Sequence, residues 1–246
     1  MHSPRLIARM DIKNKNLIKP INLEGLRIVG DPNVYAKKYY ANGIDEILFM
    51  DTVATLYSRS QITEIIKKIT NDIFIPITVG GGIRSFDDVN ELLNSGADKV
   101  AINTAAVENP KLIKNIADKI GSQSLIVSID AKKRSEGKWE VYINNGRDRT
   151  GLDVIEWIRQ VVDMGAGEVL VTSIDREGTR KGFDYDLAKN SNMASSIPVI
   201  ISGGCGELEH LKNLKFYSSI DAVAVADCIH YNKISIHDLK KTLTTI

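Results

Sequence analysis

IPITVGGGI (75–83) and IPVIISGGCG (197–206) are two versions of one phrase: a proline, a short apolar run rich in β-branched residues, and a glycine turn. Pro76 and Pro198 stand 122 residues apart, and Gly80 and Gly203 stand 123 apart. Outward from them, EILFMD (46–51) echoes EVLVTSID (168–175), and ADKVAINTA (97–105) echoes IDAVAVADC (220–228). ARMDIK (8–13) pairs with VSIDAK (127–132), Asp11 matching Asp130 at an offset of 119. Self-similarity at a fixed period marks one supersecondary block used twice.

The block is legible. Short buried runs predict strands near 5–12, 45–51, 75–79, 98–102, 125–130, 167–173, 197–202 and 221–226. Amphipathic stretches between them predict helices near 31–42, 60–70, 85–95, 109–119, 151–164, 184–193, 207–214 and 235–244. Alternation of this kind makes parallel βα units, and eight units in about 250 residues is the size of a closed barrel. A doubly wound open sheet is the rival, but it leaves the repeat unexplained. The expectation is an α/β protein with a single (β/α)8 TIM barrel over residues 1–246, its half-barrels falling at about 1–122 and 123–246.

Composition narrows the function. With 43% hydrophobic and 26% charged residues the chain is ordinary globular protein, not disordered or fibrous. Lys plus Arg (32) nearly balances Asp plus Glu (31), so neither nucleic acid nor an acidic membrane is an expected partner. No apolar stretch is long enough to span a bilayer. MHSPRLIARMD (1–11) lacks an apolar signal core, and a cytoplasmic location is expected. Cys205 and Cys228 form neither a disulfide framework nor a zinc pattern. His2, His210, His230 and His237 have no ligand spacing, so no metal is expected. No GxGxxG follows the first strand, and no cofactor is expected. Cys205 reads as a small buried residue, and Trp139 and Trp157 as packing.

Chemistry gathers at strand ends. Asp11 and Asp130 close strands 1 and 5, which face each other across the C-terminal mouth of a barrel. Paired carboxylates there can serve as general acid and base if their environments separate their pKa values; capping of a following turn is the competing reading. Gly80–Gly82 and then Asn103 and Thr104 each lead into a helix, where backbone N–H groups can cradle an anion. SGGCG (202–206) repeats the first of these. The repeat also places Asp227 where the first half has Thr104. A hydroxyl donates to phosphate, but an ionised carboxylate only accepts and repels it. At the opposite end of the barrel, Arg5, Glu46, Lys99 and Glu168 lie near the starts of strands 1, 2, 4 and 6. Facing outward they are solvated rim charges; facing inward they must pair with one another.

VGDP (29–32), TVGGGIRS (78–85), GADKVAINTAAVENP (96–110), GSQ (121–123), SIDAK (128–132), GAGEVLVTSIDREGT (165–179) and SGGCG (202–206) together carry a family resemblance. From about residue 4 onward the chain resembles the cyclase subunit of imidazole glycerol phosphate synthase. The resemblance implies a barrel paired as a heterodimer with a glutaminase, whose ammonia crosses the barrel. At the mouth it meets a small two-phosphate substrate, a ribulosyl aminoimidazole carboxamide nucleotide. The products are imidazole glycerol phosphate and an aminoimidazole carboxamide ribotide. Asp11 and Asp130 become the acid/base pair by this resemblance. Gly82, Asn103 and Thr104 hold one phosphate, while Gly178, Gly203 and Gly204 lie at the other. Lys19 belongs to the loop after strand 1; Arg5, Glu46, Lys99 and Glu168 form an ammonia gate, and Asp98 and Gln123 face the glutaminase.

The chain departs from that pattern in four places. The first loop reads NKNLIKP (14–20) without its glycines, Arg9 replaces a small residue, and Glu177 replaces an aspartate. Asp227 stands where the second phosphate site has a serine. These departures motivate two further readings. One is a paralogue that aminates another acceptor, such as a surface-polysaccharide sugar. The other is a non-catalytic activator of a glutaminase, against which Asp11 and Asp130 argue.

Overall fold

The computed structural model describes residues 3–52, 59–217 and 219–244. In chain order its strands are β1 (Arg5–Lys13), β2 (Asn16–Ile21), β3 (Glu24–Gly30), β4 (Glu46–Asp51), β5 (Ile77–Gly80) and β6 (Lys99–Ile102). The second half adds β7 (Leu125–Ser135), β8 (Lys138–Ile143), β9 (Asp148–Asp153), β10 (Glu168–Ser173), β11 (Val199–Ser202) and β12 (Ala222–Val225). Between them run α1 (Pro32–Ala41), α2 (Arg59–Ile69), α3 (Phe86–Asn94), α4 (Thr104–Glu108) and α5 (Lys111–Ile120). These are followed by α6 (Val154–Asp163), α7 (Tyr185–Ala194), α8 (Leu208–Tyr217), α9 (Asp227–His230) and α10 (Ile236–Thr244).

Eight of these strands pair in parallel in the order β1-β4-β5-β6-β7-β10-β11-β12, and β12 returns to β1. The ring is closed, so the open-sheet alternative is excluded. Two antiparallel hairpins stand off it at matching places: β2–β3 continues from β1, and β8–β9 from β7.

Side-chain alternation builds two cores from each barrel strand. One face packs under the helices, as Leu6, Ala8 and Met10 do from β1. The other fills the bore with Ile7, Leu48, Ala101, Ile126, Leu170, Ile200, Ala222 and Ala224. The period of two that turns Ile7 inward also turns Arg5 inward below it, and Arg9 and Asp11 above it. The barrel therefore carries a charged floor, an apolar middle and a polar mouth.

The hairpins, α4 and α9 are the elements that the periodicity did not predict. Residues 151–153 were expected to open a helix but end β9, and α6 starts at Val154. Asp153 caps that helix by accepting from the backbone N–H groups of Ile155 and Glu156. Strand β9 reads DRTGLD and contains no buried residue, so no hydrophobic alternation announced it. Among the described residues no helix is long and apolar enough to cross a membrane.

Candidate active site

On the floor the four predicted charges meet, which removes the outward-facing reading. Arg5 donates to Glu46 (Nη1–Oε1, 2.6 Å) and to Glu168 (Nη2–Oε2, 2.7 Å). Lys99 donates to Glu168 (Nζ–Oε1, 2.6 Å) and lies 3.5 Å from Glu46 Oε2. The result is a closed ring of two cations and two carboxylates. Burial acts to raise the Glu168 carboxyl, but Arg5 and Lys99 more than reverse it and hold it below the usual range.

Asp98 and Gln123 are both exposed on this lower side. Asp98 also has a structural duty, since its carboxylate accepts from the Ile77 N–H at 2.8 Å. Asp45 and Asp221 do the same for Leu6 and Val199, so an aspartate just before a strand secures its neighbour three times around the ring. Gln123 donates its side-chain amide to the Ile120 carbonyl.

At the mouth, Asp11 is fully buried and Asp130 nearly so. Arg9 Nε donates to Asp11 Oδ1 at 3.0 Å, and Lys19 lies 3.8 Å from Oδ2. Burial works against the Asp11 charge, yet Arg9 and Lys19 overcome it and hold the carboxyl below its ordinary value. Asp130 accepts only the neutral amide of Asn103, Nδ2–Oδ2 at 3.1 Å. Burial, with the Asp11 and Glu177 charges behind it, pushes its pKa up to about 6 despite Arg9. The two carboxylates are thus split in the sense required of an acid and a base.

The first-half side of the mouth opens as a cleft of about 760 Å3, lined by Gly81, Gly82, Asn103, Thr104 and Asp130 among others. Gly81 has φ +98, and a Cβ there would stand 2.2 Å from the Asp51 carbonyl oxygen, so only glycine fits this turn. Thr104 Oγ1 accepts from the Asn144 N–H at 3.0 Å, which leaves its own hydrogen to donate. Helix α4 begins without a side-chain cap. The start of α3 is different: Asp88 already accepts the N–H groups of Arg84 and Ser85, so those two donors are unavailable to an anion. Arg84 and Arg147 line the cleft as well; Arg84 lies within the TVGGGIRS stretch but was given no role from the sequence, and Arg147 belonged to no motif.

The second-half side is filled. Arg180 holds Asp227 in a two-point pair, Nε to Oδ1 and Nη2 to Oδ2, the latter at 3.0 Å. Lys19, only 2% exposed, pairs with Glu177. The segment expected to be a loop after strand 1 is hairpin β2–β3, and Asn22 N–H donates to the Glu177 carbonyl at 2.8 Å. Hairpin backbone lies directly over Gly178, where a Cβ would come within 2.6 Å of the Pro20 carbonyl oxygen. Gly203 and Gly204 are buried; a Cβ on Gly204 would strike the Gly182 carbonyl oxygen at 2.1 Å. These glycines permit close backbone packing where the sequence suggested a second cradle. The departures at Arg9, Glu177 and Asp227 are therefore linked: each acidic or basic newcomer meets a partner in the same half of the mouth.

Trp139 and Trp157 are buried, and Trp139 Nε1 donates to Asp184. Cys205 and Cys228 are free and buried. Donation of the Cys205 S–H to Cys228, together with burial, pushes the Cys205 thiol well up, the reverse of an activated nucleophile. His2 lies outside the described residues, among which no His, Cys, Asp and Glu group is arranged to hold a metal.

Residues 5–235 match the family described as histidine biosynthesis protein. A Legionella pneumophila protein named imidazole glycerol phosphate synthase subunit HisF is 59% identical over 209 residues, covering 85% of this chain and 99% of the relative. Proteins of that name from Streptococcus mutans serotype c and Bacillus cereus are 42% and 45% identical over 243 residues. Each covers 99% of this chain, with 97% and 96% of the relatives' own lengths.

Proposed function

The chain belongs to the histidine biosynthesis family as a HisF-type cyclase subunit of imidazole glycerol phosphate synthase, and on that premise we propose how its barrel carries the reaction. The ribulosyl aminoimidazole carboxamide nucleotide binds with one phosphate in the open cleft, against Gly82, Asn103 and Thr104. Arg84 and Arg147 supply positive charge around it. Ammonia released by a glutaminase subunit docked on the lower face, near Asp98 and Gln123, passes the Arg5–Glu46–Lys99–Glu168 ring and rises through the apolar bore. Both subunits act in the cytoplasm.

Adding ammonia to carbon and expelling a leaving group requires one proton to be taken from nitrogen and another to be given to the departing atom. Asp11, held ionised, takes the first; Asp130, which keeps its proton to about pH 6, gives the second. The split between two strand-end carboxylates at one mouth is the observation that carries this reading. Purified protein is assayed with the nucleotide and ammonium salt, without a glutaminase, by the fall in substrate absorbance. Turnover lowered by about a hundredfold or more in Asp11→Asn and in Asp130→Asn, with fold retained, is expected; turnover unchanged in both sinks the acid/base roles.

The Arg180–Asp227 pair favours a second reading, in which the acceptor carries one phosphate and presents a neutral end to the filled half. No turnover of the two-phosphate nucleotide, together with inorganic phosphate binding that is lost in Thr104→Val, supports this reading.

A further inference from the structure

Arg9 is a charged residue in the bore itself. It is 3% exposed and projects between the apolar layer containing Ile7 and the carboxylate of Asp11. Its Nη1 donates to Thr172 Oγ1 at 2.9 Å and Ser202 Oγ at 3.4 Å, on β10 and β11. Its Nε donates to Asp11 on its own strand. In the eight-strand ring β1 and β10 are three places apart, so the guanidinium crosses most of the bore. Thr172 and Ser202 are 0% and 2% exposed, and their buried hydroxyls fix the plane of the fork.

That anchoring has a consequence for Asp11. One oxygen, Oδ1, is committed to Arg9, while Oδ2 is buried and accepts no hydrogen bond. A free carboxylate rotates and presents either oxygen; this one presents Oδ2. Volume alone does not demand an arginine here, because a buried ion pair can commonly be replaced by apolar side chains at little cost.

We propose that Arg9 is a positioning residue of the reaction centre, orienting Asp11 with Oδ2 toward the substrate and sustaining its charge. The proposal rests on the reading of Asp11 as the base. Other ionisable groups face the pair from every side: Lys19 on β2, Glu177 after β10, Asp130 on β7, and His230 on α9, whose pKa burial lowers to about 3. Among the described residues only Arg9 forms a hydrogen bond to the Asp11 carboxylate, as the Lys19 separation of 3.8 Å is too long for one.

The test compares Arg9→Lys, Arg9→Met, Asp11→Asn and the double variant Arg9→Met/Asp11→Asn of the full chain, using ammonium-driven turnover at fixed free ammonia. Arg9→Lys keeps the charge without the planar fork, and kcat is expected to fall about tenfold with KM for the nucleotide nearly unchanged. Arg9→Met is expected to lose about a hundredfold in kcat. The double variant should be no slower than Asp11→Asn alone, because Arg9 acts through Asp11. It also removes both charges together, so it remains informative if Arg9→Met alone does not fold. Carboxyl 13C titrations of Asp11 and Asp130, which need no turnover, should both move upward in Arg9→Met.

A folded Arg9→Met with kcat within about threefold of the parent, or additive losses in the double variant, overturns the proposal. Absence of turnover in the parent chain counts against the cyclase reading instead. In that event an Asp11 titration indifferent to Arg9→Met still overturns the charge argument.

Discussion

Asp227→Ser is the substitution that most directly tests the second half of the mouth. In the parent, Arg180 and Asp227 cancel each other's charge across a two-point pair. The serine hydroxyl restores the donor that the repeat partner Thr104 supplies in the first half, and it frees Arg180. The local charge changes by one unit. Against a phosphate dianion about 6 Å away, even with the dielectric of water, one unit is worth about 1.4 kcal/mol, or about tenfold in affinity. A lower local dielectric enlarges the effect. The cost to stability is small, under about 1 kcal/mol, because Arg180 is exposed enough to be solvated once unpaired. The assay is KM for the two-phosphate nucleotide at fixed free ammonia, with inorganic phosphate as a competing ligand. KM should fall by about tenfold while kcat stays within a factor of about two. An unchanged or higher KM refutes the reasoning: Asp227 is then not near a bound phosphate, and the acceptor with one phosphate gains ground.

Three further outcomes are expected. Thr104→Val leaves the Asn144 N–H without its acceptor and deletes a phosphate donor; KM should rise about tenfold with kcat held, and an unchanged KM removes Thr104 from the binding site. Glu168→Gln leaves Arg5 and Lys99 sharing one carboxylate, which should cost about 2–4 kcal/mol in urea unfolding, and a loss below about 0.5 kcal/mol contradicts the closed ring. Because the folded Asp130 pKa, about 6, lies above its ordinary 3.8, the native state binds the extra proton; stability is full below about pH 4 and falls by about 3 kcal/mol as pH rises through 6. Asp130→Asn should flatten that part of the urea-melt profile, and an identical slope in parent and variant argues against a raised pKa.

The barrel was legible because its signal repeats. Eight buried runs and the Pro76/Pro198 and Gly80/Gly203 correspondences each restate one architecture, and the helices between them follow from spacing. Strand β9 was not legible, because DRTGLD buries nothing, and the side-chain bonds that help hold it to β8, from Arg149 to Glu140 and from Thr150 to the Val141 carbonyl, exist only once the hairpin has formed. The helix cap at Asp153 was in the sequence, two residues past the predicted helix start. Asp11 and Asp130 could be found from their strand-end positions, and Thr104 and Asp227 from the repeat. Arg180 could not. It follows Gly178 in a loop, at φ +61, and nothing in local spacing connects it to Asp227, 47 residues away. Lys19 was located but not its burial, since a loop without glycine gave no hint that it would pair as β2–β3 and close over Glu177.

Charge accounting connects the pieces of the mouth. Around Asp11 and the second half stand the buried cations Arg9 and Lys19, the exposed Arg180, and the buried carboxylates Asp11, Asp130, Glu177 and Asp227, with buried Asp51 across the cleft. Three of the carboxylates have a cation in an ion pair; Asp130 has only the Asn103 amide. Burying a charge is costly unless it is paired, and Asp130 lacks the cation that Asp11, Glu177 and Asp227 each have. The member without a cation is the one whose pKa rises. The proton needed by a general acid is therefore stored on the carboxylate that burial and its acidic neighbours disfavour and no cation pairs. The substitutions that crowd the second half, Glu177 and Asp227, bear on this differently: Asp227 is cancelled by Arg180, whereas Glu177 draws on Lys19 and helps raise Asp130. Glu177→Gln should accordingly lower the Asp130 titration in the carboxyl 13C spectrum, while Asp227→Ser leaves it in place. A shift of Asp130 in the second variant alone inverts the assignment and places the controlling charge at Arg180.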